Sequence, residues 1–362
     1  MKKLAISGKE YYYALSSVNG VNPLSYLCSS LIRAKEKRFM KCAQTLPLVI
    51  FSIIIFGCAT IDKAGNQYGE LEVSIPNLRS TVNDLTRLGP NRNYLDTEAL
   101  NSVVSYLGKR FSAYGLRSEV QTFKVDGREY SNLIATLNAD GPTRIIVGAH
   151  YDVYDDQPGA DDNASGVAAL LEVARLMNSY AAQSNYRFDF VAYTLEEPPY
   201  FDSENMGSYI HAKSMSDQRI KVRAMISLEM LGYFTDKENS QKYPFPLKYF
   251  YPKKGNFIAV VGNCKSKRLV KNLKRSLSKT SLPVSSLSAP KSLITGVGYS
   301  DHSSYWKFGY KAVMVTDTSL YRNPNYHKAT DTIETLDFEK MKEVVKGIAW
   351  ALLDPETFDD LK

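Results

Sequence analysis

The sequence predicts an α/β protein, a three-layer α/β/α sandwich around a mixed, mostly parallel central sheet. Three observations lead there. Beyond Cys58, helical patterns alternate with short runs rich in β-branched residues, the order expected of a sheet covered by helices. Histidine or acidic residues close several of those runs, and open α/β sheets carry their ligand sites beyond the carboxyl ends of strands. A chain of 362 residues also has room for one domain of about 300 residues, which buries roughly 75% of its unfolded surface, plus an N-terminal extension.

Residues 1–57 read as that extension and a signal peptide, 58–75 as a linker and 76–362 as the folded domain. Leu46 to Phe56 is an apolar run of 11 residues, shorter than the roughly 18 that a spanning helix needs and of the length of a signal-peptide core. Lys35, Lys37, Arg38 and Lys41 precede it. Ile55-Phe56-Gly57-Cys58 follows and resembles the bacterial lipoprotein cleavage box, with Cys58 as the acylated first residue of the mature chain. A short buried helix is the alternative. Met40-Lys41 would begin a signal of ordinary length, so residues 1–39 read as an upstream over-extension. Alanine after the cysteine resembles outer-membrane lipoproteins. The expected location is therefore the cell envelope, lipid-anchored and facing the periplasm, or outside the cell.

The formal charge of +7 is concentrated in that extension, where eight Lys or Arg stand against Glu10 and Glu36, leaving +1 for the rest. A nucleic-acid binder carries a basic face on its folded domain, and no such partner is expected. The concentrated candidate is Lys265, Lys267, Arg268, Lys271, Lys274 and Arg275. Leu269, Val270, Leu273 and Leu277 recur there at helical spacing, which makes the lysines a solvated helix face, with weak contact to anionic lipid as the other reading. Cys28 and Cys42 precede the apolar run, Cys58 ends it, and Cys264 alone lies in the domain. This excludes an internal disulfide framework or a cysteine-based zinc site.

In chain order, helices are expected near 79–89, 96–114, 163–180, 264–278 and 336–353. Strands are expected near 117–125, 129–138, 143–149, 187–194, 222–230, 256–261 and 311–315. Phe234 to Gly255, with Pro244, Pro246, Pro252 and five lysines, is too polar and proline-broken for core and reads as a surface excursion near the site.

The chain has four histidines, so each is informative. His150 closes an apolar strand, with Asp152 on the same face if the strand continues; a metal-bound imidazole usually gives its second nitrogen to a carboxylate, although a capped strand end has the same look. Asp161-Asp162 follows a Pro-Gly turn and precedes an amphipathic helix. Adjacent buried carboxylates repel unless a cation neutralises them, whereas an N-cap explains one acid. Glu196-Glu197 ends the next strand ahead of two prolines, so one glutamate can face a metal and its neighbour a substrate, or both can form an exposed acidic turn. Glu229 lies in an apolar strand, where an unpaired charge is costly. His327 follows a turn, with Asp331 four residues on as a candidate orienting carboxylate.

In this order the motifs GAHYD, GADDNASG, the Glu-Glu pair, SDH and YH-x-x-x-DT resemble metallopeptidase family M28, the exported two-zinc aminopeptidases, over residues 143–335 and more weakly over 75–355. The resemblance implies the zinc-aminopeptidase fold and two zinc ions that activate a water. In that pattern His150 and Glu229 hold one ion, Glu197 and His327 the other, and Asp162 bridges them, with the Asp162–Asn163 peptide after it in the cis form. Asp152 would orient His150, Glu196 would be the general base, and Tyr326 would stabilise the oxyanion. Many members carry aspartate where this chain has Glu229. The implied substrates are peptides with a free N-terminus. His302 in SDH and His211 are expected to be structural.

Four alternatives stand beside this reading. A carboxypeptidase-like relative is one, although no arginine cluster for a carboxylate is assigned. A glutaminyl-peptide cyclotransferase shares the fold, but a one-zinc cyclase has no use for a second ligand set that includes His150. A serine hydrolase would use Gly298-Tyr299-Ser300, which lacks the last glycine of G-x-S-x-G. A catalytically inactive binding homologue should have lost ligands. H-E-x-x-H does not occur, which excludes the common zincin pattern.

Overall fold

Eight strands form one sheet: β1 (Arg117–Val125), β2 (Arg128–Leu137), β3 (Arg144–His150), β4 (Arg187–Tyr193), β5 (Val222–Glu229), β6 (Ile258–Gly262), β7 (Val284–Ser288) and β8 (Ala312–Thr316). Their order across the sheet is β1-β2-β4-β3-β5-β8-β6-β7. The central strands β4, β3, β5 and β8 run parallel. β1 and β2 are antiparallel to one another, and β2 to β4, at one side. At the other side β6 turns antiparallel to β8 and pairs in parallel with β7. This computed structural model describes residues 71–88, 91–180, 184–359 and 361. The apolar run, Cys58, the over-extension and most of the 58–75 linker lie outside the described residues.

The helices are α1 (Ile75–Leu88), α2 (Thr97–Ala113), α3 (Gly166–Asn178), α4 (Gly207–Asp217), α5 (Lys267–Leu277), α6 (His302–Lys307) and α7 (Phe338–Leu353). Alternation along the strands sends side chains to two cores. Ile145, Val147 and Ala149 of β3, with Phe188 and Phe190 of β4, join residues of α1, α2, α3, α5 and α7 in the larger one. Ile146, Val191 and Tyr193 face the other way, onto Ala212 and Met215 of α4 and Tyr305 of α6. Both faces are covered, which makes the sandwich three-layered. The central strands are buried on both sides, so they read as unbroken apolar runs. At Gly148 a Cβ would lie 2.2 Å from the Tyr193 ring, so only glycine lets that ring cross the strand.

α5 buries Leu269, Val270, Leu273 and Leu277 while Lys265, Lys267, Arg268 and Lys271 are exposed, the solvated face expected of it. Cys264, just before it, is a free exposed thiol. Among the described residues no helix is long and apolar enough to cross a membrane.

Candidate metal centre

Parallel β4, β3 and β5 lie side by side, so their carboxyl ends open onto one place. His150 is the last residue of β3 and stands in register with Tyr193 of β4, and Glu229 ends β5. After β4 and β5, and again in the loop that carries His327, the chain turns sharply. Leu195 (φ 58°), Met230 (φ 47°) and His327 (φ 56°) adopt left-handed backbone, uncommon for side chains of this kind and concentrated at functional sites. The Asp162–Asn163 peptide is cis, as is Pro198–Pro199. Asn163 locks its turn against β5: its Nδ2 donates to Leu228 O at 2.8 Å and its Oδ1 accepts from Met230 N at 3.0 Å.

Six predicted residues meet there. Asp162 Oδ1 lies 3.4 Å from His150 Nε2, and its Oδ2 lies 3.3 Å from His327 Nε2. Glu229 Oε2 is 3.5 Å from His150 Nε2, and Glu197 Oε2 is 3.2 Å from His327 Nε2. Glu196 Oε2 is 3.8 Å from His150 Nε2. His150, Asp162 and Glu229 bring ligand atoms within 4.8 Å of one another, as do Asp162, Glu197 and His327. His150, Glu196 and Glu197 also group this way, but Glu196 makes the longest of the imidazole contacts.

A second tier of carboxylates holds this group; the sequence pattern places Asp152 beside His150 but does not reveal the backbone partners. Asp152 Oδ1 accepts from Glu196 N at 3.2 Å and Oδ2 from Glu197 N at 3.1 Å. Its side chain thus fixes the turn that carries both glutamates. His150 Nδ1 meets the Asp152 backbone oxygen at 3.2 Å and Oδ1 at 3.5 Å. Asp331, expected beside His327, instead accepts the backbone N–H groups of Asp161 and Asp162 at 3.0 to 3.1 Å. Asp161 turns away from the cluster and accepts from Gly232 N at 2.8 Å and Asn323 Nδ2 at 2.7 Å. Ser300 donates to Glu229 Oε2 at 2.8 Å and shares a hydrogen bond with Ser227 Oγ.

The electrostatics show what such crowding demands. Burial, then the nearby Glu229 and Glu197, pushes Glu196 far above the usual carboxylate range, His150 opposing. Burial and Asp162 raise Glu197 to about 7, and burial raises Glu229. His327 rises to about 10 because Asp162 and Glu197 outweigh its burial. His150 rises well above its ordinary value against its own burial, through Glu196 and Glu229. Protons on imidazoles and carboxyls do here what a cation would do.

The donor set fits metal ions on a second count. His150 Nε2, His327 Nε2 and Glu197 Oε1 are buried with no hydrogen-bond partner, as are His211 Nε2, His302 Nδ1 and both Asp301 oxygens outside the ligand set, but only the first three stand together around Asp162. Imidazole nitrogen with carboxylate oxygen is the ligand mixture that suits zinc-like ions.

The other predicted residues fall nearby or elsewhere. Tyr326 stacks on His327 with ring centroids 3.8 Å apart, and Tyr154, which sequence reasoning missed, stacks at 4.4 Å. His302 is buried, with Nε2 2.8 Å from Val297 O and its ring edge-on to Trp306. His211 is buried against the Tyr305 hydroxyl. Ser300 is buried, with Glu229 and Ser227 as its partners, an arrangement that offers no imidazole base for a serine nucleophile. Arg92, wholly buried, donates to the backbone oxygens of Tyr151, Pro158 and Gly159 and so ties down the loop between His150 and Asp162.

The family model for peptidase family M28 matches residues 132–352. The Escherichia coli (strain K12) protein YfbL is 42% identical over 282 residues, covering 75% of this chain and 85% of its own. A Trichophyton verrucosum (strain HKI 0517) protein described as a probable leucine aminopeptidase is 29% identical over 294 residues, 76% of this chain and 70% of its own. Among solved structures, the Legionella pneumophila LapA aminopeptidase superposes with a TM-score of 0.62 at 23% identity, covering 78% of this chain and 72% of its own. A Bacteroides thetaiotaomicron glutaminyl cyclase does so with a TM-score of 0.58 at 19% identity, covering 77% and 97%. At such identities the likeness establishes the fold alone.

Proposed function

The chain belongs to peptidase family M28, and on that premise we propose that it is a two-zinc aminopeptidase that removes residues from the free N-terminus of peptides. One observation carries the reading beyond membership: Asp162 turns one oxygen to His150 and the other to His327, with Glu229 beside the first imidazole and Glu197 beside the second. His150 and Glu229 would hold one ion, Glu197 and His327 the other, and Asp162 both.

When bound, the ions supply Lewis acidity, polarising a scissile carbonyl and making water a stronger acid. The residues of the chain do the rest. Glu196 is the general base: its carboxylate takes the proton from the attacking water and passes it to the nitrogen of the leaving amine, a task typically worth about 10²–10⁴-fold. Asp152 holds Glu196 and Glu197 by their backbone N–H groups, so proton acceptor and neighbouring ligand keep one relative position. Tyr326, fixed by stacking on His327, is the residue proposed to donate to the developing oxyanion.

Metal analysis with a panel of aminoacyl nitroanilides tests this. About two zinc ions per chain and chelator-sensitive release of nitroaniline are expected. One ion with cyclisation of N-terminal glutamine would overturn it in favour of a glutaminyl cyclase. The envelope location is likewise proposed, resting on the Cys58 motif; a Cys58→Ala chain that still takes up a fatty-acid label would end that part.

A further inference from the structure

We propose that the loop from Gln241 to Lys254 is a docking surface for an anionic membrane. The inference is independent of the peptidase reading.

Within the excursion before β6, the side chains divide sharply. Tyr243 and Tyr251 turn inward and lie 5.7 Å apart by ring centroids. Tyr243 Oη donates to Pro252 O at 2.6 Å and Tyr251 Oη to Ser286 O of β7 at 2.8 Å. Tyr243 also packs against a small core that includes Phe257 and Met314. Phe245, Tyr249 and Phe250 turn outward and are 78%, 68% and 76% exposed. Backbone hydrogen bonds from Leu247 N to Pro244 O and from Phe250 N to Leu247 O close the tip into a short 3-10 turn. Phe245 and Tyr249 meet edge to face at 6.3 Å. The loop is thus braced at its base and presents three aromatic rings to solvent, a feature that ordinarily marks an interaction surface.

Charge decides between partners. From Gln241 to Lys254 the loop carries four lysines and no acidic residue. Among the described residues Lys254 pairs with Glu238 at 2.9 Å, while Lys242, Lys248 and Lys253 are exposed, and Lys248 Nζ sits 5.0 Å from the Tyr249 ring centre. Protein interface cores are depleted in lysine. Aromatic rings interleaved with lysines suit the headgroup layer of a bilayer, where rings enter the boundary and ammonium groups meet lipid phosphates. An acyl chain on Cys58, as expected above, would keep Leu71 within about 45 Å of that bilayer, and stable anchoring generally takes two such signals.

The test uses the full chain carrying Phe250→Trp and vesicles of phosphatidylethanolamine with or without phosphatidylglycerol, their acyl chains brominated. Emission from the introduced indole is expected to shift to the blue and to be quenched in the anionic vesicles. A control Val120→Trp chain, altered on the opposite edge strand β1 at a position 54% exposed, should show neither effect. Replacing Lys242, Lys248 and Lys253 by serine in the Phe250→Trp chain should raise the lipid concentration that gives half-maximal quenching by about fivefold per lysine at low salt. The proposal is overturned if the chain sediments with vesicles while the loop indole stays unquenched, because another region then binds them. It is overturned equally if quenching is the same without anionic lipid. It also fails if the loop indole stays unquenched and the serine variant raises KM for long peptides in the absence of lipid, which would make the loop part of the substrate site.

Discussion

Asp161 and Asp162 are adjacent, both buried, and belong to different worlds. Asp161 has its oxygens occupied by Gly232 N and Asn323 Nδ2, whereas Asp162 has no such donors and faces two imidazoles. The same division runs through much of the centre, Glu229 excepted, since its Oε2 accepts from Ser300. Asp152 and Asp331 are saturated by backbone N–H groups, while Glu197 and both histidines keep an atom without a partner. Asp152, Asp331 and Asp161 position the site with oxygens that the protein satisfies; of the candidate ligands, Glu197 and the two imidazoles keep an unpaired atom, whereas Glu229 already accepts from Ser300. Leaving a buried polar atom unpaired costs about 1–3 kcal/mol, which metal binding would offset.

The sharpest way to break this comparison is at the adjacent glutamates, which the division assigns to different tasks. Glu196→Gln keeps shape and ligands while removing the proton acceptor, so kcat should fall by about 10²–10⁴ with KM nearly unchanged and full metal content. Glu197→Gln removes an anionic ligand, so metal content should drop and excess zinc should partly restore rate. Steady-state kinetics with metal quantification on both variants decides the matter. Metal loss in Glu196→Gln with two ions retained in Glu197→Gln would reverse the assignment, and full activity in both would end the enzyme reading of this site. Glu229→Ala belongs to the same test: it should cost about one zinc equivalent, and full retention would remove Glu229 from the ligand set.

A smaller effect is expected in the saturated tier. Asp152→Asn keeps one acceptor oxygen and turns an N–H2 group toward the other backbone donor, so the Glu196–Glu197 turn loosens. Zinc affinity should weaken by about 10–100-fold, read by titration against a competing chelator, with the ligands themselves intact. Unchanged affinity would show that the turn holds without Asp152.

Much of this is legible in the sequence because periodicity and chemistry agree. β3, β4 and β5 are buried on both faces and read as apolar runs ending in His150, Glu196-Glu197 and Glu229, so the sheet and the binding residues can be read together. α5 is readable from its single apolar stripe. β7 escapes, since Val284-Ser-Ser-Leu-Ser is a half-exposed edge strand with one neighbour and little apolar signal. α4 is not placed as an element because its apolar positions are few and it buries His211 and Ser208. Asp152 and Asp331 stand out in the sequence, but their partners do not, because backbone N–H groups carry no sequence signature. Arg92 leaves no signal either: a buried arginine that satisfies carbonyl oxygens looks like any surface arginine until the loop folds over it.

The smallest expected effect concerns stability, and it separates the two tiers by pH. In the metal-free protein His327 sits at about 10, Asp331 at about 8 and Glu197 at about 7, all above their ordinary unfolded values near 6.5 for histidine and about 4 for carboxyls. The folded state therefore holds protons that the unfolded chain has released, and stability falls as pH rises through this range. His211 and His302, each lowered to about 4 by burial, act in the opposite sense, but only between about 4 and 6.5, so the window is clean above pH 6.5. The melting temperature of chelator-treated protein should drop by several degrees between about pH 6.5 and 8.5. Zinc-loaded protein should not show that drop, because bound metal holds its ligands deprotonated and releases their protons on binding. Asp331→Asn divides the drop: the part that disappears belongs to Asp331, and the part that survives belongs to the other raised groups, the candidate ligands with Asp161 and Asp301. A pH slope identical with and without zinc would mean that the raised groups are not those the metal engages, and the division between the two tiers would fail.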